Sequence, residues 1–374
     1  MKIYFEVIPM KRIISAVLLV AMLSCALMSC NKYPPKRSTR EERRVVMTLS
    51  LDGEEYEIKY ELYRALFLNY KSQVDGGNAG VWSSDQKNEY INKINTIIAK
   101  KAAEIYSVFH LAGKLGIDPY SKDVDKQIDE YIRISVEGNE ADVIGFGGDY
   151  DAYLDALKQN NLNYSLQVLL FRYDITMNLI NEYYKGYEDE ALGHIPGDFS
   201  YTKDDVRGYY FSDSSSRILH AYLDEGYGAN SRERIEYVRE GMLSKTTDTE
   251  VALYIINNTA VTATDLIINK KVSGVMVGNY TLGEVYSVYK DTAFAIEVGE
   301  VSEVIEINDG VTTYYVLYKL PKTEEHFADC YDDIASSYLD NKISELLADI
   351  SSRLAGNVEY TKKYSKITHS EISM

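Results

Sequence analysis

The sequence predicts an α+β protein: a mostly helical domain into which a small α/β module is inserted, with a C-terminal helix returning to the helical domain. Three observations carry this. Apolar residues recur at three- and four-residue spacing over most of the first half. Strand-like runs and turn signals cluster between residues 216 and 320, and one more amphipathic stretch follows them. At 374 residues the chain suits two domains rather than one core.

The N-terminus reads as a secretory leader. Lys11 and Arg12 form a positive region, Ile13 to Leu23 an apolar run, and Leu27-Met28-Ser29-Cys30 an exit of small residues ending on cysteine. Eleven apolar residues are too few to span a bilayer comfortably, so cleavage is expected over a permanent anchor. Leu-Met-Ser-Cys resembles the lipobox of bacterial lipoproteins. That implies a signal peptide over 1–29, a lipid on the Cys30 thiol, and a bacterial envelope protein on the extracytoplasmic side of a membrane. Met10 is an alternative start, and Cys25 a competing but poorer processing site. With Cys25 removed and Cys30 lipidated, only Cys330 remains and no intramolecular disulfide forms.

Residues 30–44 read as a flexible basic tether, with Pro34, Pro35 and six cationic side chains and almost nothing apolar. Fully extended it would reach roughly 45 Å. Removing Lys2, Lys11, Arg12 and Glu6 with the leader takes the formal charge from −17 to about −19. Without a basic face, nucleic-acid binding is not expected.

The helical domain spans 45–197. It begins with a hairpin, Val45 to Leu51 and Glu54 to Tyr60 around Asp52-Gly53, leading into a helix to about Tyr70. A long helix follows from Ser84 or Asp85 to Gly116, with Ile91, Ile94, Ile98, Ala102, Ile105, Phe109 and Ala112 on one face. His110 lies near that face as a core or boundary residue. Ser121 starts a further helix, and two more run from Asp149 to Asn160 and Leu162 to Tyr184. The Asp149, Asp151 and Asp155 carboxylates lack the glycine and terminal glutamate of a calcium loop and read as a solvated helix start. Gly186 to Gly197 is a connector.

The module spans 198–321. Helices are predicted over Thr202–Tyr210, Arg232–Leu243, Asp248–Asn257, Ala263–Asn269 and Leu282–Ala293. Strands are predicted over Ser216–Leu223 and Ser273–Val277, and a hairpin closes at Asn308-Asp309-Gly310 before Val311 to Leu320. The last helix, within 322–356, is capped by Thr323 and is expected to bury its Phe327, Tyr331, Ile334, Tyr338, Leu346, Ile350 and Leu354 stripe on the helical domain. Residues 357–374 read as a tail. Tyrosine is abundant, 34 residues against nine Phe and one Trp. Such rings either half-bury helix faces or line grooves for polypeptide.

Thr292-Ala293-Phe294 and Gly299-Glu300-Val301-Ser302, in that order after a helix and before a hairpin, resemble the late part of a parvulin-type prolyl isomerase domain. Leu219-His220-Ala221-Tyr222-Leu223 looks like that domain's first strand. With the lipobox and helical domain, the layout is similar to SurA/PrsA-like extracytoplasmic foldases, and residues 45–197 then match their N-terminal chaperone domain. The resemblance implies that His220 stands at the first core histidine and Tyr315 at the second, as candidate catalytic groups. It implies Val285, Tyr289 and Phe294 as peptide-binding residues. Val285 replaces the family's pocket methionine, Glu284 its glutamine and Tyr315 its histidine; only Ser273-Gly274 remains of the glycine-rich loop. The implied function is therefore a foldase-like chaperone for unfolded or newly exported polypeptides, held to the membrane by Cys30, with weak or absent isomerase activity. The alternatives are an active parvulin isomerase or a non-catalytic envelope scaffold with one dedicated partner. No metal and no cofactor is expected, and no hydrolase or nucleotide-binding motif is present.

Overall fold

The computed structural model describes residues 32–139, 144–189, 193–225, 230–259, 261–262, 266–268, 271–279, 286–308 and 311–372. Cys30 and Val285 lie outside the described residues, as does the turn at 309–310. The architecture is α+β. The chain divides into a unit of residues 1–197 with 349–374 and a second unit of 198–348. Among the described residues no helix is long and apolar enough to cross a membrane.

The first unit opens with β1 (Val45–Leu51) and β2 (Glu54–Lys59), paired antiparallel. Asp52 and Gly53 both take positive φ, 53° and 85°, the turn that matches the twist of a two-residue hairpin. Then come α1 (Tyr60–Asp75), α2 (Lys87–Lys114), α3 (Lys122–Glu137), α4 (Tyr150–Gln159) and α5 (Tyr164–Lys185). Ser121, Asp149 and Asn163 each accept a backbone N–H at their helix start, which satisfies one orphan donor per helix. Asp149 is thus a cap, not a metal ligand. The face of α2 read from the sequence is buried at Ile94, Ile98, Ala102, Phe109 and Ala112 and half-buried at Ile91 and Ile105. His110 is buried with its Nδ1 3.0 Å from the Tyr56 hydroxyl.

Three expectations for this unit are corrected. Residues 32–44 do not hang free: Tyr33 is 6% exposed in the core formed by α3, α4 and α5. Its hydroxyl donates to Glu137 at 2.8 Å, Tyr150 donates to the Pro34 carbonyl at 2.8 Å, and Ser38 donates to buried Glu61 at 2.5 Å. Charge density suggested a tether, but one aromatic ring and three hydrogen bonds dock the strand of chain. The connector contains a small ribbon, β3 (Tyr187–Asp189) with β4 (Gly193–Ile195). Gly186 allows it, because a Cβ there would lie 1.9 Å from the Ile195 carbonyl oxygen and φ is +79°.

The second unit follows in order: α6 (Lys203–Phe211), β5 (Ser215–Asp224), α7 (Ser231–Leu243), α8 (Asp248–Asn258), β6 (Ile267–Ile268), β7 (Lys271–Val272), β8 (Val275–Gly278), α9 (Ser287–Ala295), β9 (Ile305–Asn308), β10 (Thr312–Lys319), α10 (Glu324–Asp329) and α11 (Tyr331–Gly356). The main sheet has the order β8-β5-β10-β9 and is antiparallel throughout. Where a helix is predicted to continue to Asn269, Ile267 and Ile268 instead pair with Val272 and Lys271; β-branched residues suit that ribbon. The final helix is interrupted at Cys330, whose φ is −121°. Its residues from 349 on belong to the first unit, and those before 349 to the second. Phe327 packs 5.6 Å from Tyr210, and Tyr338 5.7 Å from Tyr209, both in α6.

The tail completes the first sheet. β11 (Val358–Tyr360) pairs antiparallel with β1, giving the order β11-β1-β2, and α12 (His369–Ile372) follows. The third correction is therefore that residues 357–372 are structural. Tyr63 donates to Asn95 Oδ1 at 2.8 Å and lies 2.8 Å from His369 Nε2, while Asn95 donates to the Tyr364 hydroxyl at 2.6 Å.

Burial holds His369 down to about 4, and burial followed by the nearby Arg217 charge does the same for His326, to about 4. Between about pH 6.5 and 4 the unfolded chain takes up these protons while the folded chain does not. Their stabilisation is complete above about pH 6.5 and is lost as pH falls, on the order of 2 kcal/mol each after solvent screening. Urea midpoints measured at pH 7.5 and 4.5 should show this loss. His369→Gln should flatten the dependence in the first unit and His326→Gln in the second; an unchanged slope in both would remove the histidines as its cause.

Candidate functional site

Side-chain alternation divides the main sheet into two faces. Leu219, Ala221 and Leu223 of β5 point one way, with Tyr314, Val316 and Tyr318 of β10, and are covered by α7 and α8 through Ile235, Val238, Val251 and Ile255. Ile218, His220 and Tyr222 point the other way, beside Tyr315 and Leu317 of β10 and Ile305 and Ile307 of β9. On this second face lies α9. Its C-terminal end is held by the sheet itself: Lys319 donates to the carbonyls of Phe294 at 3.1 Å and Ile296 at 2.7 Å, the favourable place for a cation. Ser216 donates to the Ala293 carbonyl at 2.6 Å.

The register brings together the residues that the sequence singled out. Tyr289 of α9 is 6% exposed among Ile218, Ala293, Ile305 and Leu317, and its hydroxyl is 2.7 Å from His220 Nδ1. Its ring stands edge-on to Tyr315 at 5.2 Å, and His220 lies 6.4 Å from Tyr315. Burial raises the Tyr289 phenol far above its ordinary value, with the Tyr315 hydroxyl adding to the shift. The phenol therefore stays protonated and can donate to Nδ1. Phe294 is half-buried against the same cluster. Tyr222, which the sequence reading did not single out, completes the surface at 5.7 Å from His220 and 5.8 Å from Tyr315. Period-two alternation from His220 was the signal that pointed to it.

The Gly-Glu-Val-Ser run has a structural account. Gly299 takes φ +85° and donates its N–H to Lys319 O at 2.9 Å. Glu300 accepts from the Glu297 N–H at 2.8 Å. Ser302 donates its N–H to Leu317 O at 2.8 Å and accepts from Leu317 N at 2.9 Å. The motif thus joins the end of α9 to β10 in one register. A shallow groove of about 620 Å³ runs beside it, with Arg239 donating to Ser302 O at 2.8 Å. On the opposite face Arg217 is buried and donates to the carbonyls of Ser273, Val272 and Pro321, where a guanidinium's fork of donors serves three carbonyls at once.

Chemically, the face offers an imidazole, two half-buried tyrosines and a phenylalanine over an apolar floor. It holds no nucleophile–base pair and, among the described residues, no group of three or more side chains able to hold a metal. Such a surface binds by area, ring stacking and hydroxyl hydrogen bonds.

Fold and site together define an α+β protein whose second unit is an antiparallel four-stranded sheet with a helix on an aromatic His–Tyr face and two helices on the other. No protein-family model and no curated protein sequence matches the chain. Solved structures it resembles include foldase proteins. It is 16% identical to foldase protein PrsA from Streptococcus pneumoniae, covering 85% of this chain and 96% of that one at a TM-score of 0.31. To the Lactococcus lactis foldase protein PrsA it is 15% identical, over 88% and 100% of the two chains, at 0.26. To Bacillus subtilis PrsA it is 13% identical, over 84% and 92%, at 0.25.

Proposed function

We propose that the protein is a foldase-like chaperone, anchored through a lipid on Cys30 to the extracytoplasmic side of a bacterial membrane, that holds unfolded or newly exported polypeptides. Its isomerase activity is weak or absent. The observation that carries the reading is the half-exposed surface of His220, Tyr222, Tyr315 and Phe294, backed by the buried Tyr289. Two tyrosine rings and an imidazole at 5.7–6.4 Å spacing, with Phe294 on the same cluster, give a polypeptide broad contact at little cost in side-chain entropy.

Weak isomerisation follows from the same residues. Rotation about an X–Pro bond is opposed by about 20 kcal/mol of amide resonance, and a protein lowers it by gripping the proline and stripping water from the amide. That needs an open apolar slot. Tyr289 is packed into the sheet core instead of lining a slot, and its hydroxyl already occupies His220 Nδ1.

The test is a protease-coupled cis/trans assay on a proline tetrapeptide with the soluble chain from Lys32 to Met374. The expected rate is within a few-fold of background and equal in wild type and His220→Ala. A rate far above background that His220→Ala abolishes would establish the active isomerase instead.

A further inference from the structure

We infer that the helical unit sits directly on the lipid bilayer, with the loop carrying Ile144 and Phe146 as its contact surface. The inference rests on the proposed lipidation of Cys30 and adds to it an orientation that an anchor alone does not give. Only Asn31 and Lys32 separate Cys30 from Tyr33, so the lipidated residue lies at most about 11 Å of extended chain from the docked ring. Tyr33 is fixed there: its hydroxyl bonds Glu137 at 2.8 Å, and its ring is 5.4 Å from Tyr150.

The loop is beside that point. Phe146 and Gly148 donate their N–H groups to the Val136 carbonyl at 2.8 and 3.0 Å, next to the Glu137 that holds Tyr33. The Phe146 ring is 5.8 Å from Tyr153, which stacks 6.1 Å from Tyr150. Yet Ile144 is 88% exposed and Phe146 41% exposed. Two exposed large apolar side chains next to a point of lipid attachment fit the interfacial region of a bilayer, where such groups enter about 5–10 Å. Lys32 is 71% exposed despite its ion pair with Glu137 at 2.6 Å, and Lys36, Arg37 and Arg40 are exposed on the same docked strand. Among the described residues, Glu137 is engaged by Lys32 and Arg133, Asp155 by Lys158 and Asp149 as a helix cap, while Asp151 is exposed; the same loop also carries Glu140 and Asp142 in sequence. The apolar side chains, not net charge, therefore carry the contact. Anchor and loop together supply the two signals that stable peripheral binding needs.

The experiment uses lipidated full-length protein in phosphatidylcholine/phosphatidylglycerol vesicles, with Ile144→Cys carrying an environment-sensitive fluorophore; Cys330 is buried, and labelled wild type is the control. The expected result is a blue-shifted emission quenched about twofold by lipids spin-labelled near the headgroup. A lipidated chain whose probe reports water overturns the bilayer contact while leaving the anchor intact. A blue shift that grows with protein density and ignores the lipid quencher assigns the loop to a second copy, and also overturns it. Absence of lipid on Cys30 by mass spectrometry overturns the anchoring reading and, with it, this contact.

Discussion

Tyr289→Ala should unfold the sheet unit at much lower denaturant than wild type, a loss of about 3–5 kcal/mol. The ring is 6% exposed and fills the centre of the second sheet face, so alanine leaves a cavity between α9 and β10 that backbone held by Ser216, Lys319 and the Gly299 turn cannot close. It also leaves His220 Nδ1 without its 2.7 Å partner. Tyr289→Phe separates the two effects: it keeps the ring, loses the hydrogen bond and should cost about 1 kcal/mol. The urea transition of the 198–348 unit, followed by hydrogen exchange of β5 and β10, measures both. Nearly equal losses in the two variants would mean that the hydroxyl, not the ring, holds this face together.

Ending the chain at Gly356 should cost the first unit about 5 kcal/mol or more, enough to unfold it or nearly so. The truncation strips β11 from β1, exposes the sheet edge at Met47 to Leu49, and removes buried Ile367, His369 and Ile372. It also takes two partners from the Tyr63–Asn95 pair in the interior of the unit. Far-UV circular dichroism and limited proteolysis of the truncated chain provide the readout. Supplying residues 357–374 as a peptide should restore protection of α1 and α2; full protection without it would show the tail to be dispensable.

Much of this was legible because periodic patterns are local. The strand Ser215–Asp224, the hairpin of β1 and β2 with its Asp52-Gly53 turn, and the long face of α2 follow from alternation, turn chemistry and helical spacing within the segment itself. The caps at Ser121, Asp149 and Thr323 were equally local. What escaped were features whose partners are distant in sequence. Tyr33 is fixed by Glu137 and Tyr150, and His369 by Tyr63, at separations that no periodicity encodes. A short polar tail and a short basic leader look alike whether they are free or docked. The site shows the same division. The alignment of His220, Tyr289 and Tyr315 was readable in order, while their registration on one face, with Tyr222 beside them, comes from β5–β10 pairing.

The most direct test of the proposed function is light scattering from several unrelated, chemically unfolded clients diluted into the soluble chain. The comparison is between wild type and the Tyr222→Ser, Tyr315→Ser double variant, each first shown to be folded by near-UV circular dichroism. The account predicts that equimolar wild type delays aggregation of most clients and that the double variant loses most of that delay. No delay by wild type for any client, or a full delay by the folded double variant, would contradict it.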